Sequence, residues 1–469
     1  MELKFRHLGA LTDACIAIGD LTLICGRNNT GKTYVAYSIY GLLKLWPALS
    51  TWLIDDADTA RLADTGSVEI DLGERILAPW QDNLARIATE YRKALAGVLA
   101  AEEGRFDATE LTIAAPPPGG LVSREFAHTY QRPDATPMVS VTKAHSSMSL
   151  VASLVDGDPK AIPQPVLRDM LLPAVQSLAF SGVVPRVVMI STERTGAATF
   201  RNELNFTRTR LIEALSSVET SKRLEPKQLL SILIPEFSPR YPLPVRDEVD
   251  RMNQVDAVQG SQGELITAMP ELLTGFEELL GGRYHVSRGS VYFQPAGRSP
   301  KLALNESSSS VRSLLGLGLY LRHQARTGDL LMIDEPELNL HPASQVLMAR
   351  LLARLVNAGL KVLVTTHSDY IAKELNTMLL LGSTEVEVAE RLGYKSDERL
   401  DAGRARVYVA GEQSVKRNAE AKRRSRHLVL SAVQPLPDAS FEFLSFDETI
   451  NEMNARQDQI LDHLDDAAD

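Results

Sequence analysis

The sequence predicts an α/β fold that is split by a large helical and β-rich insertion, and three observations predict it. An apolar strand, a glycine-bearing loop and a helix follow one another near the N-terminus, from Leu21 to about Leu45. Two more apolar runs ending in polar residues, Leu330 to Ile333 and Val362 to Thr365, lie near the other end of the chain with a helical stretch between them. Strand signals of that strength do not recur in the interval, so the two halves of one core are separated by inserted chain.

The elements follow in order. Short strands are expected at Leu3 to Phe5 and Cys15 to Ile18, ahead of the run Leu21 to Cys25, and a helix from about Thr33 to Leu45. Glu74 to Glu103 has helical spacing, with Ile76, Leu77, Trp80, Leu84, Ile87, Tyr91 and Leu95 on one side, the pattern of core packing. Pro116-Pro-Pro-Gly-Gly and the alternating segments Met138 to Val141 and Ser149 to Val155 predict a β-rich arm within residues 107–155. Val187 to Ile190 reads as a strand, and residues 202–282 read as mainly helical, broken at Pro226, Pro235 and Pro239 to Pro244. Gly281 to Val286 and Ser290 to Phe293 form a predicted hairpin, and Phe446 to Leu464 a closing amphipathic helix. The expected parts are a first half of the core at 1–45, an insertion at 46–185, a mainly helical lobe at 186–280, a second half of the core at 281–390 and a C-terminal extension at 391–469.

Composition narrows the function classes. Of 469 residues, 44% are apolar and 23% charged, which excludes a mainly disordered or collagen-like chain. Fifty basic against sixty acidic residues give a net charge of -10, so no overall cationic field draws the chain to nucleic acid or an anionic membrane, and any such contact must be a local patch. Cys15 and Cys25 are the only cysteines, which rules out a disulfide framework or a cysteine zinc site and fits a reducing cytosol. Met1-Glu-Leu-Lys-Phe-Arg lacks the apolar core of a signal peptide, and runs such as Leu314 to Leu321 fall short of the about 18 residues of a membrane span. A cytoplasmic protein without a membrane partner is the expectation.

Gly26-Arg27-Asn28-Asn29-Thr30-Gly31-Lys32-Thr33 fits the pattern G-x-x-x-x-G-K-[ST] directly after a strand and at the opening of a helix. The glycines let the backbone turn so that successive amides point inward, and the helix N-terminus adds partial positive charge where phosphate oxygens would lie. Lys32 is placed to neutralise the β- and γ-phosphates of ATP, and Thr33 to give its hydroxyl oxygen to Mg²⁺.

The other half of the site is read at the ends of the late strands. In Leu330-Leu-Met-Ile-Asp334-Glu335-Pro336, two acids close an apolar strand, an arrangement that is costly unless a cation or hydrogen bonds compensate. Asp334 is assigned to the magnesium shell and Glu335 to the attacking water, as polariser or general base; an acidic helix cap is the alternative. Val362-Leu-Val-Thr-Thr-His367-Ser368 repeats the pattern, with His367 placed to hydrogen-bond the γ-phosphate or that water. His341, in Asn339-Leu-His-Pro342, reads as a turn or interface residue.

Taken together, the phosphate loop, the run Asp334-Glu-Pro-Glu-Leu-Asn-Leu-His-Pro and Thr-Thr-His367-Ser resemble the ABC-type ATPase heads of the SMC, Rad50, RecF and OLD group, and most closely the bacterial AAA15-type, OLD-like ATPases. The resemblance covers residues 1–45 and 280–375. It implies that Asp334 is the Walker B acid, Glu335 the catalytic glutamate, Asn339 to His341 part of the D-loop and His367 the switch histidine. It further implies that two heads must meet for hydrolysis, as a homodimer or higher homo-oligomer, each lending a serine-rich signature helix to the other's γ-phosphate. Here that segment is Asn305-Glu-Ser307-Ser308-Ser309-Ser310-Val-Arg, without the usual glycine pair; an ordinary serine N-cap is the alternative. Glu193-Arg194-Thr-Gly196 resembles the segment such ATPases place between the half-sites, with Arg194 facing phosphate or the lobe interface, or else making a structural salt bridge.

The C-terminal part lacks the Asp-x-Asp pair that a fused TOPRIM nuclease would need after Glu412. Lys416, Arg417, Lys422, Arg423, Arg424 and Arg426 form a basic cluster, read as a solvated helix face or a patch for DNA or an acidic partner. The expected function is an ATP-hydrolysing switch whose head closure controls a separate effector, a nuclease or toxin, as in anti-phage defence. The alternatives are a RecF- or Rad50-like DNA-binding ATPase and a non-hydrolysing scaffold assembled by ATP.

Overall fold

A computed structural model describes residues 1–132, 135–155, 162–200, 241–253, 262–287, 289–416, 424–442 and 452–460. In chain order its strands are β1 (Glu2–Leu8), β2 (Leu11–Ala17), β3 (Leu21–Gly26), β4 (Ser67–Asp71), β5 (Glu110–Ala114), β6 (Phe126–Gln131), β7 (Pro137–Lys143) and β8 (Ser149–Leu154). They continue as β9 (Val187–Ile190), β10 (Gly282–Ser287), β11 (Ser290–Pro295), β12 (Leu302–Ala303), β13 (Leu330–Asp334), β14 (Lys361–Thr366), β15 (Ala405–Lys416) and β16 (Arg424–Val433). Nine of them form one sheet in the order β5-β1-β2-β16-β15-β3-β14-β13-β9, and the others form sheets ordered β4-β8-β7-β6 and β10-β11-β12.

The large sheet is antiparallel where β1 pairs with β2 and β5, and parallel from β15 through β3, β14 and β13 to β9. Its parallel strands are buried on both faces, and their side chains alternate between two apolar cores with the period of two that a strand imposes. Ile24, Leu330, Met332 and Leu363 enter one core, with the helix Lys32–Leu49 and the inserted helices Trp80–Val98 and Gln164–Phe180. Leu23, Cys25, Leu331, Ile333, Val362 and Val364 enter the other, with the helices Ser309–His323, Pro342–Asn357 and Asp369–Gly382. This mixed α/β architecture, with a parallel P-loop core completed by chain from both ends of the sequence, is the split ABC-type head that the sequence predicts.

Several elements differ from expectation. The apolar face from Ile76 to Leu95 is buried or nearly so, but the chain breaks at Pro79 into the short turn Gly73–Leu77 and the helix Trp80–Val98, because proline lacks an amide donor and its ring opposes the preceding turn. Strand β6 lies within the β-rich arm expected over residues 107–155, but strand β4 in the insertion was not anticipated. Nor were β15 and β16, which place residues from the expected extension 391–469 in the middle of the large sheet: Ala405 to Ala410 pair in parallel with Leu21 to Gly26, and β16 pairs with β2. Lys416, Arg424 and Arg426 therefore lie on strands and not on a helix face, while Arg417, Lys422 and Arg423 lie outside the described residues. The same holds for 201–240 and 254–261 of the stretch read as helical, and of the closing helix 452–460 is described, helical and exposed. Among the described residues both cysteines are free and no helix is long and apolar enough to cross a membrane.

Candidate functional site

Register brings the site together. Thr366 lies opposite Cys25, Thr365 opposite Asp334, and Ile190 opposite Ile333, so the loops that leave β3, β14, β13 and β9 emerge side by side at the carboxyl ends of parallel strands. That edge is where open α/β sheets bind ligands.

The phosphate loop is shaped by close packing. Gly26 has φ 147°, and a Cβ there would stand 2.4 Å from the Ala410 carbonyl oxygen, so the neighbouring strand β15 admits only glycine. Gly31, at φ 87°, is pressed against the Leu11 side chain of the β1–β2 hairpin, 2.8 Å from where a Cβ would stand. Thr30 Oγ1 donates to the Arg27 carbonyl at 2.8 Å and closes the loop. Lys32, 5% exposed, donates through Nζ to the carbonyls of Gly26 at 2.8 Å and Arg27 at 2.9 Å. Burial lowers its pKa, and the nearby carboxylates of Glu335, Asp334 and Glu337 oppose that effect. Arg27, Asn28 and Asn29 are exposed at the rim.

Asp334 is fully buried. Its Oδ1 accepts from Thr365 Oγ1 and from Thr33 Oγ1, the latter at 3.4 Å, while Oδ2 has no hydrogen-bond partner among the described residues. Burial pushes its carboxyl up to about 6; the hydrogen bonds from Thr365 and Thr33 pull the other way, and Glu335 adds to the rise. An orphaned, buried carboxylate oxygen beside a threonine hydroxyl is a set of hard oxygen donors that fits Mg²⁺. The inward amides, the helix N-terminus and Lys32 fit a polyphosphate.

Glu335 sits in the left-handed region at φ 50°, rare for a residue with a side chain, and its amide donates to the Thr365 carbonyl at 3.0 Å and to Thr365 Oγ1 at 3.2 Å. His367 Nδ1 lies 3.3 Å from Glu335 Oε1 and 3.2 Å from Glu337 Oε1. Glu337 was missed in the sequence. It is buried, and its Oε1 accepts from Thr366 Oγ1 and from the His367 amide, both at 2.8 Å, so it holds the loop that presents the histidine. A second acid two positions after Glu335 was the available signal; Thr365, at the tip of its strand, had none.

Lys32, Thr33, Asp334, Glu335 and His367 thus lie together at the carboxyl ends of adjacent parallel strands. Arg194 is placed differently. The residue is 2% exposed and its guanidinium is spent on backbone carbonyls, in place of the phosphate or lobe contact expected of it. Ser308 caps the helix Ser309–His323, accepting from the Val311 amide at 3.4 Å and bonding Ser310 Oγ at 2.8 Å; Ser308 and Ser309 are exposed. His341, exposed, caps the helix Pro342–Asn357 by accepting from the Ala343 amide at 3.3 Å.

Strand, phosphate loop and helix, faced by the buried Asp334, the half-buried Glu335 and a histidine at adjacent strand ends, define the P-loop fold of an ABC-type head. A family model described as an AAA ATPase domain matches residues 209–372, a stretch that holds the serine run, Asp334, Glu335 and His367 and begins after the phosphate loop. Among solved structures, the chain is similar to the SMC head domain from Thermotoga maritima, at 12% identity over 92% of this chain and 98% of that one with a TM-score of 0.28. It is also similar to an SmcHead bound to the C-winged helix domain of ScpA, at 11% identity over 92% and 97% with a TM-score of 0.34. No curated protein matches the chain.

The raised Asp334 pKa has a measurable consequence. A carboxyl bound more tightly to its proton in the fold than in the unfolded chain, about 6 against 3.8, stabilises the ligand-free fold below pH 3.8, and that contribution is lost as pH rises through about 6. Asp334→Asn is therefore expected to raise the melting temperature of the ligand-free protein at pH 7 to 8 by several degrees, with the gain vanishing near pH 4. Thermal melts across pH check both; a variant less stable at pH 8 than at pH 5 relative to wild type would show that the carboxylate is not strained.

Proposed function

We propose that the chain binds ATP with Mg²⁺ and hydrolyses it when two heads come together, and that this closure controls a partner protein. The observation that supports it best is the meeting of Lys32 and Thr33 with Asp334, Glu335 and His367 at the ends of three adjacent parallel strands. In this reading the amides of residues 26–33 and Lys32 hold the phosphates, and Thr33 and Asp334 hold the metal. Mg²⁺ bound there would neutralise charge on the phosphate oxygens. Glu335 Oε1 orients the attacking water and takes its proton, and His367, set between Glu335 and Glu337, keeps that carboxylate aimed. The exposed hydroxyls of Ser308 and Ser309, at a helix N-terminus, serve the γ-phosphate of a second copy.

A site completed in trans makes turnover depend on encounter. Specific ATPase activity is expected to rise with protein concentration below the dimer dissociation constant and to plateau above it; activity that stays flat on dilution into the monomeric range would refute the shared site. The controlled partner is read as a separate nuclease or toxin of an anti-phage system, which rests on the motif resemblance to OLD-like ATPases. A protein that co-purifies with the chain in one nucleotide state only supports it, whereas duplex DNA binding that survives moderate salt would favour a chromosome-associated role.

A further inference from the structure

Strand β9 runs parallel to β13, so the segment that follows it, Ser191 to Thr195, leaves the sheet beside Asp334. Three consecutive side chains of that segment fasten three parts of the site. Glu193 Oε2 accepts from Tyr37 OH at 2.9 Å and so ties the helix that follows the phosphate loop. Arg194 donates through Nη1 to the carbonyls of Ser191 at 2.9 Å and Asp334 at 2.8 Å, and through Nη2 to that of Glu335 at 2.5 Å. Thr195 Oγ1 accepts from Asn339 Nδ2 at 3.0 Å, and Asn339, like Glu335, has positive φ.

The buried cation has a buried counterpart. Glu248, fully buried on the helix Leu243–Asn253, accepts through Oε2 from the Ser191 amide at 2.8 Å and from Ser191 Oγ at 2.6 Å. Ser191 thereby joins Glu248 to Arg194. A guanidinium is a planar fork, and here it spans two successive carbonyls of a turn whose second residue holds a backbone conformation that side chains disfavour. Such a conformation persists only where its surroundings enforce it.

We propose that Arg194 is a positioning residue, which clamps the Asp334 and Glu335 carbonyls to hold Glu335 in its left-handed turn and aim its carboxylate, and that Glu248, through Ser191, anchors the clamp. The inference rests on the reading of Glu335 as the base that activates water. It separates Arg194 from nucleotide binding: the clamp acts on turnover and leaves the phosphate loop untouched.

The test uses the full chain with Arg194→Lys and Arg194→Ala. Lysine keeps the positive charge near Glu248 and loses the two-carbonyl fork, so it decides the matter if the alanine form fails to fold. The expected result for Arg194→Lys is a kcat lower by about tenfold or more, with KM and the affinity for a non-hydrolysable ATP analogue within about threefold of wild type. In Arg194→Ala, millimolar methylguanidinium is expected to restore part of the turnover, which a general loss of packing would not allow. Arg194→Lys with wild-type kcat, or with kcat and affinity falling together, would overturn the clamp. A wild-type chain that turns over no ATP at all would instead remove the proposed function beneath it.

Discussion

Glu335→Gln is expected to slow ATP turnover by about 10²- to 10⁴-fold, the range over which a positioned general base contributes. Glutamine keeps the shape and the place beside His367 Nδ1, 3.3 Å away in the native protein, but it cannot take a proton from water. The amides of the phosphate loop, Lys32 and the Thr33–Asp334 pair are untouched, so nucleotide affinity should hold and the ATP-bound assembly should accumulate because its exit by hydrolysis is closed. Size-exclusion chromatography with ATP and Mg²⁺ should then show twice the protomer mass for the variant, and single-turnover assays the loss of the chemical step. Full turnover in Glu335→Gln would move the base elsewhere, with Glu337 the nearest acid on the same loop.

Lys32→Met carries the second large effect, a fall in ATP affinity of about 10- to 100-fold, the worth of one or two charge-assisted hydrogen bonds in a desolvated site. Lys32 is 5% exposed, and burial lowers its pKa against the opposing pull of the Glu335, Asp334 and Glu337 carboxylates. Methionine keeps the apolar stem and leaves the Gly26 and Arg27 carbonyls without the ammonium that bonds them. Isothermal titration with ATP reads the affinity, and circular dichroism shows whether the fold is intact. A variant that is folded and binds ATP as well as wild type would mean that the loop is a structural turn.

The proposed nucleotide half-sites are the most legible part of the sequence, because the chemistry assigned to them depends on short spacing. Glycines five apart followed by lysine and threonine, or two acids closing an apolar run, are local patterns that survive whatever surrounds them. The contacts that tune the site were not legible. Glu337 looks like any acid near a turn until its Oε1 is found on the Thr366 hydroxyl and the His367 amide. Arg194 was read from the resemblance of its segment as facing phosphate or the lobe interface, or else making a structural salt bridge, yet its partners are main-chain carbonyls, which carry no side-chain signature.

What the sequence determined alone is the set of local elements and the chemistry their ends carry: apolar runs for β3, β13 and β14, a glycine loop opening a helix, and acids and a histidine at strand tips. What only the tertiary structure decided is which strands are neighbours and what they press upon. The hairpin β15–β16 slots between β2 and β3, and the Ala410 carbonyl on it makes glycine obligatory at position 26. Sheet order rests on backbone hydrogen bonds that every strand offers alike, so composition cannot select among partners, and only the simultaneous burial of both faces does.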